Sequence, residues 1–230
     1  MRKNNKFYLR KAHRWLGVLI GIQFLFWTIS GLYFSWTDID EIHGDHFLNE
    51  VEHPSVSLSN LTKVELDMEV ERISLRFIGD KAYFWLNNKV LVDAESGEEK
   101  AGVTKEEALI IAQKYVKPDF KVAQIQLVEE VDVHHEYRER PLPAWRIDYE
   151  GDNALSAYIS QRDGSFQRVR HRDWRWFDFL WMTHTMDYES RDNINNWLLR
   201  IFSVFGLLTV FSGFALFFFT TKRGAKLINS

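Results

Sequence analysis

Two apolar runs decide what this chain can be, because every acidic residue it has lies between them. Trp15–Trp36 and Ile201–Thr220 each extend about 20 residues without Asp, Glu, Lys or Arg, the length that carries a helix across roughly 30 Å of hydrocarbon. All 32 Asp and Glu residues fall between Asp38 and Asp192. Outside the runs the charge is positive. Arg2, Lys3, Lys6, Arg10, Lys11 and Arg14 precede the first run, and Lys222, Arg223 and Lys226 follow the second. Basic flanks stay on the cytoplasmic side. The pattern therefore predicts two transmembrane helices with both termini cytoplasmic and a large acidic domain on the other side. Its expected divisions are a basic N-terminus (1–14), a first span (15–36), an outer domain (37–171), an aromatic interfacial helix and linker (172–196), a second span (197–221) and a basic C-terminus (222–230).

Charge within the outer part excludes some partners. From Thr37 to Trp197 there are 19 Lys and Arg against 32 Asp and Glu, a net charge of −13. Phosphate recognition needs a basic face, so no nucleic-acid partner is expected. Metal cations or cationic complexes suit this surface better. The chain has no Cys, which removes disulfides, thiolate metal sites, Fe–S clusters and covalently attached haem. The first apolar run is too long for a signal peptide and no small-residue cleavage pattern follows it, so an uncleaved anchor is expected.

The middle of the chain reads as a mixture of strands and one helix. Ile73–Phe77 alternates, Gly79-Asp80 turns, Ala82–Leu86 follows, and Asn87-Asn88 turns into Val90–Val92. Thr104-Lys-Glu-Glu107 has the form of a capping box ahead of the helical pattern Ala108–Tyr115. Val122–Val131 reads as a long strand. Trp145–Tyr149, the turn at Gly151–Asn153 and Leu155–Ile159 read as a hairpin, and Arg162–Gly164 turns into Phe166–Val169. The stretch around Phe77–Phe84 echoes Tyr149–Ser156, and Asp93–Gly97 echoes Gln161–Gly164, the mark of a degenerate duplication. In Arg172–Tyr188, Trp174, Phe177, Trp181 and His184 share one helical face. This helix is expected at the outer membrane surface. The predicted fold class is a membrane protein whose two transmembrane helices flank an α+β extracytoplasmic domain.

Four groups of residues carry possible chemistry. His13 opens the first span on the face shared by Gly17, Phe24 and Gly31, and His184 ends the aromatic stripe. An imidazole beside Gly is a suitable axial ligand for haem iron, and equally an interfacial histidine that orients a helix. Asp38, Glu41, His43, Asp45 and His46 crowd one short segment, where oxygen and imidazole ligands would suit iron or another divalent ion. His134-His135-Glu136 is weaker, because neighbours on a strand face opposite ways. Gly17-x-x-x-Gly21 offers a small-residue face for another helix. Hydrolase, phosphate-loop, flavin and nicotinamide motifs are absent from the sequence.

Taken together, His13-Arg-Trp-Leu-Gly17 opening a span that reaches Thr28-Ile-Ser-Gly31, the unit Thr104–Ala112 followed by strands and Asp163-Gly164, and Asp178–His184 ahead of a span containing Phe211-Ser-Gly213 resemble the PepSY-associated transmembrane proteins. The resemblance covers nearly the whole chain, although better-known members have four or more spans. It implies a PepSY-like outer domain in the periplasm of a cell with a bacterial inner membrane. It also implies b-type haem held by His13 and His184, and activity as a ferric or ferric-chelate reductase supporting iron uptake. Two spans cannot wrap a haem, so the reading requires a homodimer in the lipid bilayer, fed by a quinol or a separate reductase. The alternative is a non-enzymatic PepSY binding or regulatory module that inhibits a protease, assists assembly or binds metal.

Overall fold

The structure is a computed structural model and describes residues 3–52, 55 and 68–220. Arg2, Lys222, Arg223 and Lys226 of the basic flanks lie outside the described residues. Among the described residues, two helices are long and apolar enough to cross a membrane: Phe7–Trp36 within α1 (Lys3–Trp36) and Trp197–Phe219 within α5 (Trp197–Thr220). They flank a region with two antiparallel sheets, as the charge pattern predicts. Helix α1 runs through the basic lead-in without a break; no Pro or Gly interrupts residues 3–16.

The chain forms two compact units, 1–37 with 177–230 and 38–176. In the second unit, Ile39–His43 is a short helix (α2), capped by the Asp38 side chain on the Asp40 amide and closed by Gly44. Gly44 adopts φ +88, and a Cβ there would stand 2.6 Å from Val169 Cγ2, so only glycine serves. A single 3-10 turn, Asp45–Phe47, follows. Strands β1 (Ile73–Ile78), β2 (Lys81–Leu86), β3 (Val90–Asp93) and β4 (Glu99–Lys100) form the first sheet in sequence order. Asn87 and Asn88 turn β2 into β3 with positive φ. Helix α3 (Lys105–Tyr115) opens on the predicted capping box, with both reciprocal hydrogen bonds made between Thr104 and Glu107. Strands β5 (Val122–Val128), β6 (Ala144–Tyr149), β7 (Ser156–Ser160) and β8 (Phe166–Arg170) form the second sheet, again in sequence order. β5 ends at Val128, three residues short of the expected Val131.

Both sheets and α3 share one apolar core. Ile78, Tyr83, Trp85 and Leu91 come from the first sheet, Ala108, Ile111 and Ala112 from α3, and Ile147, Ile159 and Val169 from the second sheet. The sheets are also joined by polar ties. Arg76 pairs with Asp163 at 2.8 Å, and Trp145 Nε1 donates to the Val103 carbonyl. Burial alone would raise the Asp163 carboxyl; hydrogen bonds from Ser160, Arg76 and Ser165 outweigh it and hold the group below its ordinary range. The two-sheet repetition fits the first sequence echo, since both turns join a strand pair, β1 to β2 and β6 to β7. The second echo is not equivalent: Asp93–Gly97 lies between β3 and β4, whereas Gln161–Gly164 lies between β7 and β8 and follows the first turn by one strand instead of two.

Candidate functional site

Within the unit that holds both long helices, His13 stands on α1 and His184, at the end of α4 (Arg172–Thr185), packs against it. α1 and α5 pack antiparallel. His13 Nδ1 lies 2.7 Å from Ser212 Oγ and its Cε1 faces Gly213, while the Phe24 ring lies against Gly206. Toward its other end, α1 receives the end of α4, whose residues from Phe177 onward belong to this unit. A helix leaves its last four carbonyls without internal partners. Here side chains supply three of them: Gln23 Nε2 donates to the Thr183 carbonyl, Trp27 Nε1 to that of His184, and Asn196 Nδ2 to that of Thr185. His184 Nδ1 stands 2.7 Å from Ser30 Oγ. The helix expected to lie at the membrane surface thus has its last turn bonded well inside the apolar run, because Gln23 and Ser30 offer polar partners on one face of α1. Phe34 closes the other side, 5.6 Å from the His184 ring and 4.9 Å from Phe177, with Phe177 and Trp181 stacked.

One tautomer of both rings satisfies the hydrogen-bond inventory. The Ser30 hydroxyl donates its one proton to the Phe26 carbonyl at 2.6 Å, and the Ser212 hydroxyl donates to the Thr209 carbonyl at 2.7 Å. Each serine oxygen therefore meets its histidine as an acceptor, so each Nδ1 carries the proton. Each Nε2 is then left with its lone pair, the form in which imidazole binds a metal. Ser30 is fully buried and the ring is held on both sides. The two levels are far apart. His13 and Ser30 stand on one helix, separated by about 25 Å of axial rise.

The connection after α4 is tied internally. Arg191 pairs with Asp178, which is 3 % exposed, and Asp187 accepts from Ser190 Oγ at 2.5 Å and from the Asn193 amide at 2.7 Å. Gln23, Asp187, Ser190 and Arg191 were not singled out from the sequence, and Ser30, Ser212 and Asp178 stood inside the family-like motifs without a role of their own. The signal lay in Gln23 and Ser30, polar residues seven apart in an apolar run.

The segment Asp38–His46 behaves differently. Asp38 serves as the cap of α2, and Glu41, His43, Asp45 and His46 are exposed. Among the described residues, no three His, Asp or Glu side chains are grouped closely enough to hold a metal ion. His46 is instead paired with a histidine that sequence reading passed over: its ring lies 5.6 Å from His171, which is 2 % exposed and donates through Nε2 to the Ile42 carbonyl. His135 Nδ1 accepts from the Tyr137 amide. Glu136 is fully engaged, receiving two bonds from Arg175 (2.6 and 3.0 Å) and one from the Tyr158 hydroxyl (2.7 Å).

Burial lowers the His171 imidazole below its ordinary 6.5, with His46 adding to the shift against the pull of the Ile42 carbonyl. The neutral ring is the stable buried form. Its contribution is complete above pH 6.5 and is lost as pH falls through the lowered value. The sheet-bearing unit (38–176) is therefore expected to melt at a lower temperature at pH 5.5 than at pH 7.5. The carboxylates of Glu136 and Asp163, held low, stay ionised across this window. Differential scanning calorimetry should show the decline in the native chain and a reduced decline in His171→Phe.

A sequence model of the family described as PepSY-associated TM region matches residues 10–229, nearly the whole chain. No curated protein matches it. No solved structure matches it either.

Proposed function

The chain belongs to the family of PepSY-associated TM regions, and from that premise we propose that it is an electron-transfer protein of the bacterial inner membrane. In this reading it holds b-type haem through His13 and His184 and delivers electrons to ferric iron, free or chelated, on the periplasmic side. The observation that carries the reading is the matched pair of serine-bound imidazoles, each with Nδ1 protonated and Nε2 left as a lone pair. A neutral imidazole oriented by a hydrogen bond on its other nitrogen is what haem iron takes as an axial ligand. The donor set thus fits the group. Gly17, Gly21 and Gly31 have open space where a Cβ would point, so α1 offers flat, unobstructed stretches beside both levels.

Bound haem supplies one-electron chemistry. The chain's own residues set the conditions for it. Ser212 and Ser30 fix the orientation of the rings, Gln23 and Trp27 hold the end of α4 that carries His184, and Phe34, Phe177 and Trp181 keep that level apolar. A single chain brings one imidazole to each level, with the levels about 25 Å apart. Two axial imidazoles at one level therefore come from two chains, which makes the working form a homodimer. The sequence carries no flavin or nicotinamide motif, so the electron donor in this reading is a quinol or a separate reductase. Both termini face the cytoplasm by the distribution of basic residues, and the acidic outer unit meets the ferric substrate.

Membrane vesicles test this reading as a whole. Supplied with a reduced quinol, vesicles carrying the protein are expected to reduce ferric citrate, and His13→Ala and His184→Ala to lower the rate by roughly tenfold or more. Equal rates in vesicles with and without the protein overturn it.

A further inference from the structure

β5 is a sheet edge with no strand beyond it among the described residues. The other three edges are short or covered. β4 has two residues, β8 packs against α2, and β1 is half-buried along most of its length with Arg76 tied to Asp163. β5 is exposed from Val122 to Gln124 and at Leu127. Such an edge presents a row of backbone donors and acceptors that templates another strand, and proteins usually guard it with charge or Pro. Val122–Val128 contains neither; its one guard is a bulge between Val122 and Gln124.

The edge is also complementary to itself. A twofold axis at Ile125 sets Lys121-Val-Ala-Gln-Ile-Gln-Leu-Val-Glu129 antiparallel to its own copy. Val122 then faces Val128, Ala123 faces Leu127 and Gln124 faces Gln126. At the ends, exposed Lys121 faces exposed Glu129, so opposite charges meet at both ends of the ladder. The backbone agrees. Beyond the bulge, Gln124–Val128 alternates regularly, so Gln124 and Gln126 turn their N–H and C=O the same way and can meet across the axis. Glu130 and the paired charges also disfavour other registers, in which Glu129 would lose its lysine.

We propose that β5 is an interface between two copies of this chain, joining their second sheets edge to edge into one continuous antiparallel sheet. The contact stands on the geometry of the outer unit and does not depend on haem. The bulge at Ala123 twists the strand ends, so the regular ladder is short and centred on Gln124–Gln126. That favours a reversible contact over an aggregating one.

The absence of Cys from the chain makes the test direct. Full-length Gln124→Cys and a tagged Gln126→Cys are co-expressed and oxidised mildly in native membranes. Residues facing each other across an antiparallel pair have Cα atoms about 4.5–5.5 Å apart, within reach of a disulfide. The expected result is a disulfide between the tagged and the untagged form, with little from either variant alone, because each Cys is then offset from its own copy by more than about 7 Å. Lys121→Glu should lower the mixed-chain yield roughly fivefold, and adding Glu129→Lys should restore it. No mixed-chain disulfide from membranes in which both variants are folded overturns the proposal. Equal disulfide formation from single variants and the mixture also overturns it. Haem content of the same samples is read separately, so the fate of one reading leaves the other untouched.

Discussion

His184→Ala is expected to remove one of two haem sites and leave the other, halving the haem bound per chain. The argument follows from distance. His13 and His184 stand about 25 Å apart along α1, so no haem uses both, and loss of one imidazole pair leaves the second level intact. His13→Ala should give the complementary half. The double variant should bind no haem at all. A subtler substitution separates ligation from scaffold. Ser30→Ala keeps His184 and its chain in place, yet removes the acceptor that fixes the Nδ1–H tautomer. Loss of such an orienting partner typically weakens a metal–histidine site about 10–100-fold. Haem titration by absorbance measures both effects. Full haem content in His184→Ala would refute the assignment of that residue.

Glu136→Gln is expected to destabilise the sheet-bearing unit by about 2 kcal/mol, because it breaks a partly buried, hydrogen-bonded ion pair and leaves Arg175 facing a neutral amide. The carboxylate lies at the centre of a network with Arg175, Tyr158 and Arg146, and Ser156 links it to Asp148. Burial alone would raise its pKa; the bonds from Arg175 and Tyr158 and the nearby charge of Arg146 outweigh that and hold it ionised. For a unit of this size the expected fall in melting temperature is roughly 8 °C. Replacing both partners, as Glu136→Leu with Arg175→Met, removes the charge that would be stranded and should recover part of the loss. A melting temperature unchanged in Glu136→Gln would show that the network contributes nothing.

Local signals placed the elements, and long-range contacts shaped the site. The capping box at Thr104, the Asn87-Asn88 turn and the alternating strands are dictated by neighbours in the chain, and each is found in the structure. The five residues of α2 are too few to show a helical period, and two-residue β4 exists only through its pairing with β3, so neither was legible. β5 stops early because Asp132 turns the chain, bonding the His134 amide through its side chain and the His135 amide through its carbonyl. His13 and His184 stood out as histidines flanking apolar runs. Their serine partners did not, since Ser212 lies 199 positions from His13 and Ser30 lies 154 from His184. In the acidic cluster at Asp38–His46 the residue types were legible and their local engagement was not: Asp38 caps a helix and His46 lies against His171.

The central claim is that this chain holds haem through its two span histidines. The direct measurement is the absorption spectrum of the detergent-solubilised, purified protein from cells supplied with haem, oxidised and then reduced. The expected result is a Soret band that shifts on reduction, with sharp visible bands of a six-coordinate b-type haem and an intensity corresponding to one haem per chain. A folded protein with no Soret band would contradict the claim.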